Sequence, residues 1–592
     1  MFNTLPTDAR AVLDWEWAQF APYFADLEQR ELSAQNTAAW LADWSRLDDL
    51  LSEVYARLHL AHDRDTRDEV AEQRYFRFLE TILPPLQETE NRLRDKLLAA
   101  GQVPAGMDVP LRRLRAAAAI YRQENIPLSV QLHKLGARYQ KIVGAQTAVW
   151  DGEELPLPRL RPYLSNPDRA VRERAWRLAQ ERRLADKPAL DALWQEMLPL
   201  RRQVAAHADC ADYREFVWQM LGRFDYTPQD AHTFHDAIAA AGVPAATRIY
   251  ERHRRRAGLS ALRPWDLSDG EWGRPADPPG VPPLRPYRAP QELLAKSAAI
   301  FAQLDPQLGN QFQTLIDERL LDVENRVGKA PGGYCTYFAV AKRPFIFMNA
   351  VGLHDDVQTM LHEAGHAFHA FAHAHLPYHP QRQVPMEFNE VGSMGMELLT
   401  APYLDTPGAG GDAPFYTPAE AARARIEHLE RMILFWPYMA VVDAFQHWVY
   451  TSPAENGDPA ACDRQWAALW ARYLPGVSWD GLEATAANGW QRKLHIFQLP
   501  FYYIEYGLAA LGAAQLWRGA LADRATAVKR YRAALALGGT VTLPELFAAA
   551  GARFAFDEET VGGVVRFLET QIAAQMEIVA QYEMHAAAQK ES

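Results

Sequence analysis

Cysteine is scarce in this chain, and long apolar runs are missing. The three cysteines, Cys210, Cys335 and Cys462, lie far apart and are odd in number, which excludes a disulfide framework and is typical of a reducing compartment. No apolar run reaches about 18 residues, the length of a membrane-spanning helix, and the first residues lack the basic and apolar regions of a secretion signal. We therefore expect a cytoplasmic protein without a membrane partner.

Positive charge is also in deficit. The chain has 62 Lys and Arg against 74 Asp and Glu, a formal net charge of -12, and such a surface repels phosphate backbones, so nucleic acid is excluded as the main partner. The densest basic run, at residues 252–256, fits a solvated helix end. Aromatic residues are plentiful, with 17 Trp, 23 Tyr and 25 Phe, enough for a large core or a lined cavity.

Most of the sequence has the three- and four-residue apolar spacing of helices. One such stripe lies in residues 38–60 and consists of Trp40, Leu41, Trp44, Leu47 and Leu51. Residues 263–290 are dense in proline, which predicts a surface loop or a connector between lobes. We expect an N-terminal helical lobe at 1–200 and a helical catalytic domain at 201–592, with the connector at 263–290.

Strand signals are concentrated in one place. Tyr334–Phe338 and Pro344–Met348 are short runs rich in aromatic and β-branched residues. A helical pattern follows Asp355 and Asp356, which are good N-cap residues, and runs to about His375. The expected fold is mainly α, with a small β-sheet beside this helix.

The helix carries a metal-binding pattern. His362 and His366 are four residues apart, so they project from one helix face and their ring nitrogens can converge on one Zn²⁺. Glu363 lies beside the ion, where it can take a proton from metal-bound water. A chain of this composition contains roughly 0.03 such patterns by chance. The pattern therefore predicts a metal site with Glu363 as its general base.

A catalytic zinc ion needs a third protein ligand and an open fourth position. The next helical pattern offers Glu387, Glu390 and Glu397. Glu390, Ser393 and Glu397 share one stripe at helical spacing. We take Glu390 as the ligand and Glu387 as the alternative.

Other zinc classes do not fit the spacing. The metzincin pattern requires glycine at position 369 and histidine at position 372, where this chain has His369 and Ala372. A structural zinc site needs four Cys or His ligands, and no cysteine is near in sequence. His369 and His373 continue the histidine stripe, and we expect them to pack or to hydrogen-bond rather than to bind the ion.

Four blocks in order resemble the thimet oligopeptidase and oligoendopeptidase F family, most closely the oligoendopeptidase F branch. They are Gly328–Tyr334, His362–His366, Glu390 with Ser393, and His495 followed by Pro500–Tyr506. The likeness covers about residues 325–515, the expected zinc-binding core. It implies a gluzincin-like, two-lobed helical shell around a deep substrate channel, one Zn²⁺ per chain, and cleavage inside short unstructured oligopeptides.

The resemblance also implies site residues. A tetrahedral oxyanion needs hydrogen-bond donors, and His495, Tyr502 and Tyr506 correspond to the family's donors, with Tyr503 as the alternative to Tyr502. A peptide that pairs with the edge of the first strand would be bound by Gly332, Gly333, Tyr334 and Thr336.

The sequence is also compatible with two alternative functions. A zinc carboxypeptidase of similar helical fold must bind a free carboxylate, and Arg382 and Lys342 lie near the motif in sequence. A non-catalytic helical binding protein with a vestigial zinc site is the second alternative, although such a protein has no need of Glu363.

Overall fold

The computed structural model describes residues 1–101, 103–277, 281–408, 413–451 and 457–591. Helices dominate the described residues, which confirms the expected mainly α fold. The α-helices of the first half of the chain, labelled in order, are α1 (Trp17–Gln29), α2 (Thr37–Arg64), α3 (Glu69–Arg77), α4 (Leu83–Ala100), α5 (Asp108–Ile120), α6 (Asn125–Gly144), α7 (Arg161–Leu164), α8 (Arg169–Ala185), α9 (Lys187–His207), α10 (Tyr213–Met220), α11 (Pro228–Ala237) and α12 (Val243–Arg256). Those of the second half are α13 (Pro290–Leu304), α14 (Pro306–Asp317), α15 (His354–His373), α16 (Met386–Thr400), α17 (Pro418–Thr451), α18 (Pro459–Tyr473), α19 (Glu483–Ala487), α20 (Leu494–Gln498), α21 (Tyr503–Ala522), α22 (Arg524–Ala536), α23 (Leu543–Ala549) and α24 (Glu558–Glu591).

The chain forms two compact units, each built from three segments. The first unit contains residues 1–118, 284–421 and 512–554, and the second contains 119–283, 422–511 and 555–592. This division differs from the expected lobes, because residue 200 lies inside α9 and within the second unit. The proline-rich segment 263–290 does contain one of the points at which the chain passes between units.

The core of the first unit begins with α2. The five residues of its apolar stripe, Trp40, Leu41, Trp44, Leu47 and Leu51, are all buried, as the sequence pattern predicts. No helix in the described part of the chain has the length and apolar character needed to cross a lipid bilayer.

A three-stranded sheet in the first unit lies beside the motif helix. Its strands are β3 (Leu321–Glu324), β4 (Tyr334–Phe338) and β5 (Arg343–Ala350), in the order β3-β5-β4. β5 runs parallel to β3 and antiparallel to β4, with Tyr334 opposite Phe347. β4 is therefore an edge strand of the described sheet. The bounds of β4 and the sheet beside the helix are as predicted.

The expectation that strands occur in one place is wrong. The second unit contains an antiparallel hairpin of β1 (Thr147–Trp150) and β2 (Glu153–Pro156). The two residues between these strands, Asp151 and Gly152, have positive φ angles of 52° and 88°, as a two-residue hairpin turn requires. An Asp-Gly pair between two such runs is itself a hairpin signal.

The motif helix begins three residues earlier than predicted, ahead of Asp355 and Asp356. The Asp356 carboxylate accepts hydrogen bonds from the backbone N–H groups of Val351 and Leu353, both at 2.8 Å, so it caps the helix from inside the first turn. α15 therefore starts at His354 and ends at His373.

Candidate metal centre

The helices α15 and α16 approach each other closely at one glycine. A Cβ atom on Gly365 would lie 2.6 Å from Cα of Ser393 and 2.8 Å from the carbonyl oxygen of Gly392. These distances are too short for any side chain, and the neighbours are backbone atoms. Glycine at position 365 therefore allows the face of α16 that carries Glu390 to reach the histidine face of α15.

Three potential ligand atoms converge where these helices meet. Oε2 of Glu390 lies 3.3 Å from Nε2 of His362 and 3.7 Å from Nε2 of His366. One ligand atom from each residue lies within 4.8 Å of the others. The structure thus brings together the three residues that the sequence analysis selected as metal ligands.

The donor set fits zinc. Two imidazole nitrogens and one carboxylate oxygen are the usual ligands of a catalytic zinc ion. Ligand atoms roughly 2.0–2.1 Å from a tetrahedral ion lie roughly 3.3 Å apart, close to the observed separations of 3.3 and 3.7 Å. The same spacing suits other small divalent transition-metal ions.

Glu397 has a role that sequence reasoning missed. Its Oε1 atom lies 2.7 Å from Nδ1 of His362, the ring nitrogen that does not face Glu390. A carboxylate in this position fixes the tautomer and the orientation of a metal-binding imidazole. The signal was present in the sequence, because Glu397 lies seven residues after Glu390 on the same helix stripe.

Ser393 holds the carboxylate of the third candidate ligand, Glu390, in place. Its hydroxyl group donates to Oε2 of Glu390 at 3.0 Å and lies 3.0 Å from the carbonyl oxygen of the same residue. Glu390 is only 5% exposed. Its pKa is lowered, since hydrogen bonds and charge from His362, together with His366 and Ser393, outweigh the effect of burial. The carboxylate is therefore kept ionised, as a metal ligand must be.

Glu363 is placed as a general base requires. It is buried, and burial raises the pKa of its carboxyl group to about 7, with His362 opposing the shift and Glu390 adding to it. A hydrogen bond from the backbone of Cys335 lowers the pKa in part. One oxygen of this carboxylate, Oε2, makes no hydrogen bond within the described protein.

The predicted substrate-binding residues lie in β4 and directly before it. The Tyr334 ring stacks on Phe347 at 4.9 Å, and its hydroxyl group donates to Asp63 of α2 at 3.0 Å. Thr336 lies on the same face of the strand. Gly332 has a φ angle of 103°, and the Asn349 side chain donates to its carbonyl oxygen at 2.9 Å. Of the predicted substrate-binding residues, Tyr334 is therefore engaged through its side chain.

The other candidates of the first unit lie outside the ligand group. His369 is 1% exposed and packs edge-on against Phe388 and His373, and neither histidine nor Glu387 belongs to the converging set. The Arg382 guanidinium donates to Asp49 and, at 2.6 Å, to the carbonyl oxygen of Leu376. Arg382 is thus engaged in an internal ion pair, whereas a carboxypeptidase needs a cationic residue that can bind the substrate carboxylate.

The predicted oxyanion donors form an aromatic cluster in the second unit. The rings of Tyr502 and Tyr506 are 5.1 Å apart, and that of His495 is 5.7 Å from Tyr502. Tyr502 precedes α21, so it is not on a helix face with Tyr506. The Tyr503 ring lies 5.8 Å from that of Tyr438 and 6.4 Å from that of Tyr506. Of the two alternatives, Tyr502 has its ring closer to that of Tyr506.

Two buried arginines hold the backbone around this cluster, and sequence reasoning missed both. Arg201 donates to Tyr450 at 2.6 Å and to the carbonyl oxygen of Ile496 at 2.9 Å. Arg223 donates at 2.6 Å to the carbonyl oxygen of Phe501, a residue with a φ angle of 64°. A positive φ on a bulky residue is strained and persists only where its surroundings hold it. The arginines therefore fix the segment that carries the aromatic cluster.

A pair of helices that supplies two histidines and a glutamate, with a second glutamate beside them and a small sheet alongside, is the arrangement of the helical metallopeptidases. The chain belongs to peptidase family M3, because its sequence matches that family over residues 162–280 and 295–563.

The solved structures agree with this family. PZ peptidase A, determined with an inhibitor, has a TM-score of 0.83 and 26% identity, with 97% of this chain and 99% of that chain covered. An X-ray structure described as an oligoendopeptidase F also has a TM-score of 0.83, at 27% identity, with 97% and 98% covered. The resemblance to the oligoendopeptidase F branch is thereby confirmed.

One curated relative matches over a short stretch. The chain is 32% identical over 88 residues to the chromosomal oligoendopeptidase F of Lactococcus lactis subsp. cremoris. That stretch is 15% of this chain and 14% of the relative, so the matched part spans about one seventh of the relative's length.

Proposed function

We propose that this chain is a zinc metallopeptidase that hydrolyses internal peptide bonds of short, unstructured oligopeptides. The observation that carries the proposal is the convergence of His362, His366 and Glu390, with the buried Glu363 next to the first ligand. The proposal includes one Zn²⁺ per chain. Free thiols at all three cysteines support a cytoplasmic location.

His362, His366 and Glu390 would hold the ion, and Glu397 would keep the His362 ring in its binding orientation. A bound zinc ion supplies a Lewis acid that polarises the peptide carbonyl and activates water. Glu363 would take the proton of the attacking water on its carboxylate and then pass it to the leaving amine. Its raised pKa of about 7 suits both steps, since a group that accepts and then donates works best near the ambient pH.

We assign His495, Tyr502 and Tyr506 as donors to the oxyanion, a role that the family resemblance implies. A neutral hydroxyl or imidazole donor stabilises developing negative charge, and losing one such donor costs about 10²–10³ in rate. Burial and the nearby Lys493 lower the pKa of His495 to about 4, so its ring is neutral at pH 7.

The substrate would bind as an added strand on β4. The edge of β4 away from β5 would offer backbone N–H and C=O groups to an extended peptide. Gly332 at its start, where a Cβ atom would meet nothing within 4 Å, leaves room for the chain to approach, whereas Gly333 packs against Thr359 and Met348. Binding through the backbone selects for unfolded segments and only weakly for side chains. This supports oligopeptides as substrates.

The test of the catalytic residue is Glu363→Gln. This variant should keep zinc, measured by metal analysis after gel filtration, and lose at least about 10³ in kcat, the upper range for general-base catalysis. Undiminished hydrolysis would remove Glu363 from the mechanism. A matched pair tests the third ligand: Glu390→Gln should lose zinc, whereas Glu387→Gln, on the same helix, should retain it.

The position of cleavage needs a separate substrate. An internally quenched peptide blocked at both ends should be cut by an endopeptidase and left intact by a carboxypeptidase. Cleavage only of the matched peptide with a free carboxyl terminus would replace our proposal with the carboxypeptidase.

A further inference from the structure

The second unit encloses a cavity of about 540 Å³. Its walls come from α7 and α8, from residues 268–273 and from residues 488–493. None of the candidate metal ligands is among these residues, since all three belong to the first unit. The cavity has a chemistry that the proposed peptide hydrolysis does not use.

Positive charge exceeds negative charge in this cavity. Five cationic residues line it: Arg161, Arg183, Arg431, Arg492 and Lys493. The lining acid Glu271 accepts a hydrogen bond from Arg492 at 3.1 Å and one from Lys493 at 2.8 Å, so it neutralises part of that charge.

The second acid of the lining serves the backbone instead. Oδ1 of Asp269 accepts hydrogen bonds from the backbone N–H groups of Glu271, Trp272 and Gly273 at 2.8–3.1 Å. It therefore stabilises a turn in the wall. The cavity is left with an excess of cationic groups.

Arg183 is a cation of the lining without a direct partner. Within the described part of the chain its guanidinium has no hydrogen-bond or salt-bridge partner, and neither has that of Arg161. Burial and the charges of Arg492 and Arg161 lower the pKa of Arg183 to about 10, while the charge of Glu271 opposes the shift. Its positive charge is thus held at an energetic cost that a bound anion would relieve.

The remaining walls suit an organic ligand. Trp176 and Trp272 and several leucines give the cavity apolar surface, and its volume is in the range of small-molecule sites, roughly 300–1,000 Å³.

We propose that this cavity binds a small organic carboxylate, such as an N-acyl amino acid or the C-terminal end of a short peptide, with Arg183 pairing with the carboxylate. An arginine fork matches a carboxylate through two parallel hydrogen bonds. The inference stands on the cavity alone and does not depend on the metal centre. Short peptides, the products of the proposed reaction, have this chemistry.

Calorimetric titration of the zinc-loaded full chain tests the proposal. The probes are N-acetylglycine, its carboxamide and inorganic phosphate, at matched ionic strength. The carboxylate should bind, and the carboxamide should bind at least about tenfold more weakly, since it lacks the charge-assisted pair. Phosphate binding without carboxylate binding would overturn the organic ligand and leave a bare oxyanion site.

Variants locate the binding. Arg183→Leu should weaken N-acetylglycine at least about tenfold, and Arg183→Lys should weaken it less because a charge remains. Arg182→Leu removes the same charge from the preceding position of α8, where the side chain pairs with Asp186 outside the cavity. This variant should bind N-acetylglycine as the parent protein does. Equal loss in both leucine variants would show a general charge effect and overturn the proposal.

A soaked crystal gives a readout that does not require the variants to fold. N-(4-bromobenzoyl)glycine carries the same carboxylate and amide, and its bromine atom scatters anomalously. The anomalous peak should lie in the cavity beside Trp176 and Trp272. A peak found only elsewhere, for example at His362 and His366, would refute the inference.

Discussion

Gly365→Ala should weaken the metal centre without touching a ligand. The added Cβ would lie 2.6 Å from Cα of Ser393, 2.8 Å from the carbonyl oxygen of Gly392 and 3.1 Å from Cβ of Met396. Two of these three neighbours are backbone atoms, which cannot rotate away. α16 must therefore move away from α15, and Glu390 moves with it.

The size of the effect follows from two opposing contributions. Alanine in a helix is favoured over glycine by about 1 kcal/mol, whereas overpacking a tight interface costs about 1–3 kcal/mol. We expect a net loss of up to about 2 kcal/mol in unfolding free energy. Displacing a group that orients a ligand typically costs about 10–100-fold in metal affinity, so zinc affinity should fall by that factor.

The control is another helical glycine of the same unit. Gly519 lies in α21, and a Cβ there would meet no atom within 4 Å, so Gly519→Ala should gain up to about 1 kcal/mol and keep zinc. Zinc affinity is measured by competition with a chromogenic chelator, and stability by urea unfolding of the metal-free chains. If Gly365→Ala matched Gly519→Ala in both assays, the close approach of α15 and α16 would not be what positions Glu390.

Three further predictions concern individual side chains. Glu397→Gln should bind zinc about 10–100-fold more weakly, measured by the same chelator competition, and equal affinity would contradict its orienting role. The base form of Glu363 is the ionised one, and the pKa of its carboxyl group is raised from the ordinary 4.5 to about 7. We therefore expect kcat/KM to fall with decreasing pH, with an apparent pKa between these two values. A kcat/KM that stays constant down to and below pH 4.5 would contradict this. Tyr502→Phe should lower kcat by about 10²–10³, whereas Tyr503→Phe should lower it much less, and the reverse order would make the second tyrosine the donor.

The elements around the metal centre were predictable because their signals are local. A short run rich in aromatic and β-branched residues predicts β4 at its observed bounds, and the four-residue histidine spacing predicts the face of α15. The start of α15 was harder to predict, since Asp356 caps the helix from within its first turn. Predicting that start requires knowing which backbone N–H groups turn back toward the carboxylate.

Features that depend on distant contacts were not predictable. β3 is a four-residue strand with two acids among its residues, and only its pairing with β5 makes it a strand. Arg201 and Arg223 look like ordinary helix-surface or loop arginines, yet they bind backbone carbonyl groups more than 270 residues away in sequence. No local sequence pattern predicts such a distant hydrogen-bond partner.

The stripe on α16 explains why this centre needs one glycine on the facing helix. Glu390 is the proposed third ligand, Ser393, one turn later, donates a hydrogen bond to it, and Glu397, a further turn on, contacts Nδ1 of His362 and would orient its ring. All three reach α15 from one face, so the two helix backbones must come close enough for short side chains to meet. Gly365 lies opposite the middle of that stripe. A bulkier residue at position 365 would first push Ser393 away from α15. Because Glu390 and Glu397 are on the same helix, both would move away from the histidines with it. Gly365, Glu390, Ser393 and Glu397 therefore act as one unit.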